Sequence, residues 1–133
     1  MSQIEWTEDL SVGLPEIDNQ HKQLISIYND LFSAIERNEG EVILGNIFKR
    51  LKEYTDSHFK DEEAYMQSIG YPMLGEHASE HILLLVRVQM MWNLSKHDKT
   101  IEPDGVAHFL REWIVDHVST SDRQIGEFAR SAV

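Results

Sequence analysis

Histidines and carboxylates interrupt the apolar stripes of four long amphipathic segments in this 133-residue chain, and no other feature restricts its fold so strongly. In the first segment Ile17, His21, Leu24, Ile25, Tyr28, Leu31, Phe32 and Ile35 recur at steps of three and four. That period places them on one face of a helix. A second stripe runs through Leu44, Ile47, Phe48, Leu51, Tyr54, His58, Glu62, Tyr65 and Met66, and a third through His77, His81, Leu84, Leu85, Val88 and Trp92. The fourth holds Val106, Leu110, Trp113, Ile114, His117, Ile125 and Phe128. The spacing predicts helices from Asp18, as N-cap, to about Asn38, then over about 41–69, 74–94 and 104–129, with a polar loop over Ser95–Gly105. Strand-like alternation is absent from the sequence. The expected architecture is all-α: one domain over residues 1–133, with an irregular arm over 1–18 and an up-down-up-down four-helix bundle over 19–130.

Composition narrows the partners. A chain of this length buries its own core, so a monomer is expected. There is no cysteine, which removes disulfides, thiolate ligands and iron–sulfur clusters. The net charge of −11 repels phosphate backbones and anionic lipid, so neither nucleic acid nor membrane insertion is expected. The longest apolar run, Ile82–Val86, is far too short to span a bilayer. Met1 to Trp6 lacks the pattern of a secretory leader, which predicts a cytoplasmic protein.

A single histidine on an apolar face is ordinarily a hydrogen-bonded core residue. Pairing changes that reading. His58 and Glu62 are four residues apart, as are His77 and His81, and four residues return a side chain to within about 40° of the first. A carboxylate such as Glu62 inside an apolar stripe is costly to bury unless a cation is beside it. Asp122 is five residues after His117, an offset of about 140° on an ideal helix. Either a π-bulge corrects that offset or Asp122 points elsewhere. His97 and His108 fall off the pattern and are expected to be solvated. Five imidazoles exceed the needs of one tetrahedral ion, whereas two bridging carboxylates suit two ions. Two octahedral ions offer twelve positions. Five ring nitrogens, four carboxylate oxygens and one shared solvent oxygen fill eleven, leaving one for an exogenous ligand.

Ile17-Asp18-Asn19-Gln20-His21, His58-Phe59-Lys60-Asp61-Glu62-Glu63, His77-Ala78-Ser79-Glu80-His81 and Trp113-Ile114-Val115-Asp116-His117 followed by Asp122 resemble the motifs of hemerythrins, in particular the single-domain bacterial ones. The resemblance spans nearly the whole chain, including Trp6 and Val12-Gly13. It implies a non-haem di-iron centre, oxo- or hydroxo-bridged, that binds O2 reversibly for storage or for delivery to an oxygen-consuming enzyme, and that also admits NO or small anions. The ligands it implies are His21, His58, Glu62, His77, His81, His117 and Asp122. His77, His81 and His117 would hold the filled iron and His21 and His58 the open one, with Glu62 and Asp122 bridging. It also implies that the five-residue offset of Asp122 belongs to the pattern. The expected oxygen pocket is Leu24, Phe59, Trp113, Ile114 and Val118, with Trp113 nearest the centre. No catalytic residue is expected.

Other chemistries fit less well. A ferritin-like oxidase needs two Glu-x-x-His motifs, and the nearest match is Asp18-x-x-His21. His77-x-x-Glu80-His81 matches an inverted metalloprotease motif, but an all-helical chain offers little substrate cleft. The strongest alternative is a module sensing O2, NO or peroxide and acting through a partner protein.

Overall fold

The computed structural model describes residues 2–97 and 101–131. Its main helices are α1 (Pro15–Glu36), α2 (Gly40–Ser68), α3 (Leu74–His97) and a fourth that runs as α4 (Pro103–Glu112), a π-helical segment (Trp113–Asp122) and α5 (Arg123–Ser131). They form the expected all-α up-down-up-down bundle. α1 packs against α2 and the fourth helix, and α2 against α3.

The chain turns are explained by local chemistry. α1 ends with Asn38 at φ 60°, and the Glu39 N–H donates to the carbonyl of Ala34 at 2.7 Å. α2 ends the same way, with Gly70 at φ 67° and Tyr71 N–H donating to Met66. Both are left-handed C-caps that satisfy carbonyls otherwise left without partners. Pro15 and Pro103 each sit in the first turn of their helix, where a missing N–H costs nothing.

The start of α1 differs from expectation. Asp18 is not an N-cap, because the helix already begins at Pro15 after Leu14. Its carboxylate reaches back to the arm, accepting from Ser11 Oγ at 2.6 Å and from Val12 N–H at 2.8 Å. These bonds seat Val12 in a small cluster with Ile17, Met66, Tyr71 and Ile125. The arm also needs Gly126, since a Cβ there would lie 2.5 Å from the Ser11 carbonyl oxygen. The polar loop is shorter than expected: α3 continues through His97, and helix resumes at Pro103, with residues 98–100 outside the described ones. Among the described residues no helix is long and apolar enough to cross a membrane.

The core is in two parts. A large cluster holds Leu24, Tyr54, Phe59, Val88, Trp113, Ile114 and Val118, and the small one surrounds Val12. Along α1, α2 and the fourth helix, the buried polar residues fall in sequence between members of the two clusters. A polar layer thus divides an otherwise apolar interior.

Candidate metal centre

That layer contains His21, His58, Glu62, His77, His81, His117 and Asp122, all buried, with Glu62 and Asp122 fully so. The fold brings together all seven residues singled out from spacing. They form two overlapping groups, Glu62–His77–His81–His117–Asp122 and His21–His58–Glu62–Asp122, with the ligand atoms of each within 4.8 Å of one another. His108 lies outside, exposed and 2.9 Å from Glu112, and His97 is exposed at the end of α3.

Asp122 reaches the layer because the helix is wound wider there. In a π-helix the backbone bonds run from i to i+5, so a residue five positions on returns to nearly the same face. The hydroxyls of Ser119 and Thr120 donate back to the carbonyls of Val115 and Asp116, supporting the wider turn. The departure from regular helix covers the ten residues Trp113–Asp122 rather than a single bulged one.

Each carboxylate divides its oxygens between two sets of histidines. Glu62 Oε1 lies 2.8 Å from His77 Nε2 and 3.0 Å from His81 Nε2, while its Oε2 lies 2.9 Å from His21 Nε2 and 3.4 Å from His58 Nε2. Asp122 Oδ1 lies 2.7 Å from His77 Nε2 and 3.2 Å from His117 Nε2, and its Oδ2 lies 3.1 Å from His21 Nε2. One oxygen of each acid therefore faces the set His77, His81 and His117, and the other faces the set His21 and His58.

Protons alone do not satisfy this arrangement. Both oxygens of Asp122 and the Nε2 of His117 are buried without a well-aligned hydrogen bond, despite close neighbours. His58 Nδ1 donates to Gln20 Oε1 at 2.7 Å, and burial pulls its pKa down to about 4. The neutral ring then turns the lone pair of Nε2 toward Glu62 Oε2. Two acceptors facing each other in a dry interior need a cation between them. Elsewhere protons stand in for cations. Burial by itself lowers the pKa of His21 and His77, but Asp122 and Glu62 outweigh it and raise both to about 10. Burial and Asp122 push Glu62 up, but hydrogen bonds from His21, His77 and His81 bring it down to about 2. This is the donor set of a metal centre.

Three orienting contacts went unassigned in the sequence. Besides Gln20 on His58, Glu63 Oε2 accepts from His81 Nδ1 at 2.7 Å and Glu80 Oε1 accepts from His117 Nδ1 at 3.2 Å. Gln20 is itself held by Asp61, and Glu80 by Ser121. A proton fixed on Nδ1 presents Nε2 as the ligating atom, the usual task of a ligand's outer partner. Their only signal in the sequence is position, flanking ligand residues on the same helices.

The five apolar residues named for the pocket, Leu24, Phe59, Trp113, Ile114 and Val118, are all buried. Their order differs from expectation. Phe59 stacks on His81 at 4.2 Å between centroids, and Tyr54 stacks on His58 at 4.6 Å. Trp113 lies behind them, 5.7 Å from Phe59 and 6.1 Å from Tyr54. The Tyr54 hydroxyl is buried with no hydrogen-bond partner.

Fold and centre together define a four-helix metalloprotein with a mixed histidine and carboxylate site. Residues 12–129 match the family model of the hemerythrin HHE cation binding domain. A bacteriohemerythrin of Clostridium acetobutylicum is 32% identical over 90% of this chain and 95% of its own length. One from Pseudomonas aeruginosa is 30% identical over 92% and 78% of the two chains, and one from Methylococcus capsulatus 29% identical over 95% and 96%. A solved hemerythrin structure, that of a leucine-to-tyrosine mutant, superimposes with a TM-score of 0.79 at 25% identity over 97% of this chain and 98% of its own. The chain belongs to the hemerythrin family, and its buried cluster is one that could hold metal.

Proposed function

We propose that the centre holds two irons and that the chain stores O2 or delivers it to oxygen-using enzymes in the cytoplasm, without catalysing a reaction of its own. The observation that carries this reading is the division of Glu62 and Asp122, each turning one oxygen toward the set His77, His81 and His117 and the other toward the set His21 and His58. His77, His81 and His117 would hold one iron and His21 and His58 the other, with both acids spanning the pair. Imidazole with carboxylate suits iron and disfavours calcium or magnesium, which take oxygen ligands. When bound, two ferrous ions supply one electron each for reversible capture of O2.

The unequal ligand count would leave the iron held by His21 and His58 with fewer protein ligands and so able to take an exogenous one. The buried apolar residues Leu24, Phe59, Trp113, Ile114 and Val118 would line the oxygen pocket and keep water out. Exclusion matters because reversible binding fails once solvent protons reach the bound ligand. The same iron would also accept NO or small anions. Gln20, Glu63 and Glu80 fix the rings of His58, His81 and His117 before metal arrives.

Elemental analysis after expression with ample iron tests the reading. Two irons per chain are expected, whereas one zinc per chain, or no metal, would overturn it.

A further inference from the structure

Outside the seven metal-layer residues, two buried side-chain polar atoms have no hydrogen-bond partner among the described residues, the Trp6 indole nitrogen and the Tyr54 hydroxyl. Trp6 is only partly buried and lies under the Lys22 ammonium, with Nζ 5.1 Å from its ring centroid. Tyr54 is different. It belongs to the large core cluster with Leu24, Phe59, Trp113, Ile114 and Val118, and its ring rests on His58. A buried O–H without an acceptor is costly, and phenylalanine would fill the same space without that cost. The hydroxyl therefore suits an acceptor that the chain itself does not supply.

Its position follows from the helix. Tyr54 precedes His58 by one turn of α2, so both side chains leave the same face in the same direction. Their rings stack with centroids 4.6 Å apart and planes 20° apart. A phenol is longer than an imidazole, so its oxygen passes the end of the His58 ring and stands over the space in front of Nε2. Trp113 on the fourth helix meets the phenol edge-on at 6.1 Å, which turns it into the bundle. Burial, then the charges of Glu62 and Asp122, push the Tyr54 pKa well above 10, so both acids act on this hydroxyl although neither accepts a hydrogen bond from it. Leu24 follows His21 by three residues, whereas Tyr54 and Trp113 precede His58 and His117 by four. Because α1 runs opposite to α2 and the fourth helix, all three stand on the same side of the metal layer.

We propose that the Tyr54 hydroxyl donates a hydrogen bond to the exogenous ligand of the iron that His21 and His58 would hold. The proposal rests on the two-iron reading above and deepens it. A ligand that carries negative charge in that position, whether a small anion or O2 that has drawn electrons from the irons, offers the acceptor this hydroxyl lacks. Hydrogen bonds to a charged acceptor are the stronger kind. A phenol is also a weak acid, so at neutral pH it gives the hydrogen bond and keeps the proton. That suits reversible binding, which proton transfer would end. The five apolar residues of the pocket exclude water, and Tyr54 supplies a donor that water would otherwise provide.

Tyr54→Phe in the iron-loaded full chain tests the proposal, with azide as the probe, because it removes one oxygen and keeps the ring that stacks on His58. Titration of the oxidised protein with azide, read by visible absorption, should show Kd about tenfold higher in the variant at equal iron content. The infrared stretch of bound azide should shift between H2O and D2O in the parent and not in the variant, a readout that packing alone would not move. Without ligand the variant should melt no lower than the parent, since no partner of the hydroxyl is lost. Equal azide affinity in parent and variant, each with two irons, would overturn the proposal alone, as would an azide stretch in the parent that ignores D2O. A parent chain that does not hold two irons would overturn the two-iron reading and the proposal with it.

Discussion

Asp122 Oδ1 lies 3.2 Å from His117 Nε2 although five residues separate them, because the π-helical segment brings both onto one face. The same acid turns its other oxygen to His21, so it links histidines from opposite sides of the layer. Replacing it with Asn keeps the volume and removes the charge that spans them. Asp122→Asn should weaken iron binding by roughly a hundredfold or more and abolish the rise in melting temperature that iron produces in the parent chain. Calorimetry with and without iron checks this. An iron-induced rise equal to that of the parent would show that Asp122 does not bridge.

The outer partners should matter nearly as much as the ligands. Glu63→Ala frees the ring of His81, and Glu80→Ala that of His117, so each should lower iron affinity about ten- to a hundredfold without unfolding the bundle. Glu63→Gln keeps an accepting oxygen and should recover much of the loss. Competition with a chelator measures both. His108→Ala, at an exposed position off the layer, should leave affinity unchanged.

The fold was largely legible in the sequence, and the centre nearly so. Apolar residues at steps of three and four mark a buried face wherever a helix packs, and His58–Glu62 and His77–His81 stood inside that pattern. What escaped depends on contacts far apart in the chain. Asp18 has the local look of an N-cap, but its carboxylate is taken by Ser11 and Val12, an arrangement that exists only once the arm has docked. Gln20, Glu63 and Glu80 resemble any solvated polar residue until the neighbouring helix supplies a ring nitrogen. Tyr54 reads as core, and its stacking on His58 follows from side-chain direction rather than spacing. On α3 the apolar residues run nearly all round the helix, and periodicity separates the inner stripe of His77, His81 and Val88 from the rest without saying what covers Ile82 or Val86.

Without iron, stability should depend on pH in a defined way. His21 and His77 have pKa values raised from 6.5 to about 10, so their contribution is full below 6.5 and is lost as pH rises through about 10. His58, lowered from 6.5 to about 4, works in the opposite direction, and stability falls as pH drops across that interval. Glu62, lowered from 4.5 to about 2, adds a further loss below 4.5. The iron-free chain should therefore melt highest near pH 6.5 and lower on either side. Iron should move the maximum upward, because binding displaces the protons on His21 and His77. A melting temperature that climbs steadily from pH 6.5 to 10 without iron would contradict the assignment.

Trp113 should protect bound oxygen rather than hold iron. Its ring backs Phe59 and Tyr54, which themselves touch the ligand rings. Trp113→Ala opens space behind them, so iron content should stay near the parent value while the oxygenated form decays several-fold faster, more so at low pH. Stopped-flow mixing with O2 followed by slow spectral monitoring reads the decay. An unchanged rate with iron in place would assign Trp113 to packing alone.

The most direct test is oxygen cycling on protein of known iron content. Chain loaded anaerobically with ferrous iron should take up two ions, gain a visible absorption band in air and lose it under argon, repeatedly and without loss of iron. A single ion per chain, or a band that argon does not remove on the first cycle, would contradict reversible O2 binding at a two-iron centre.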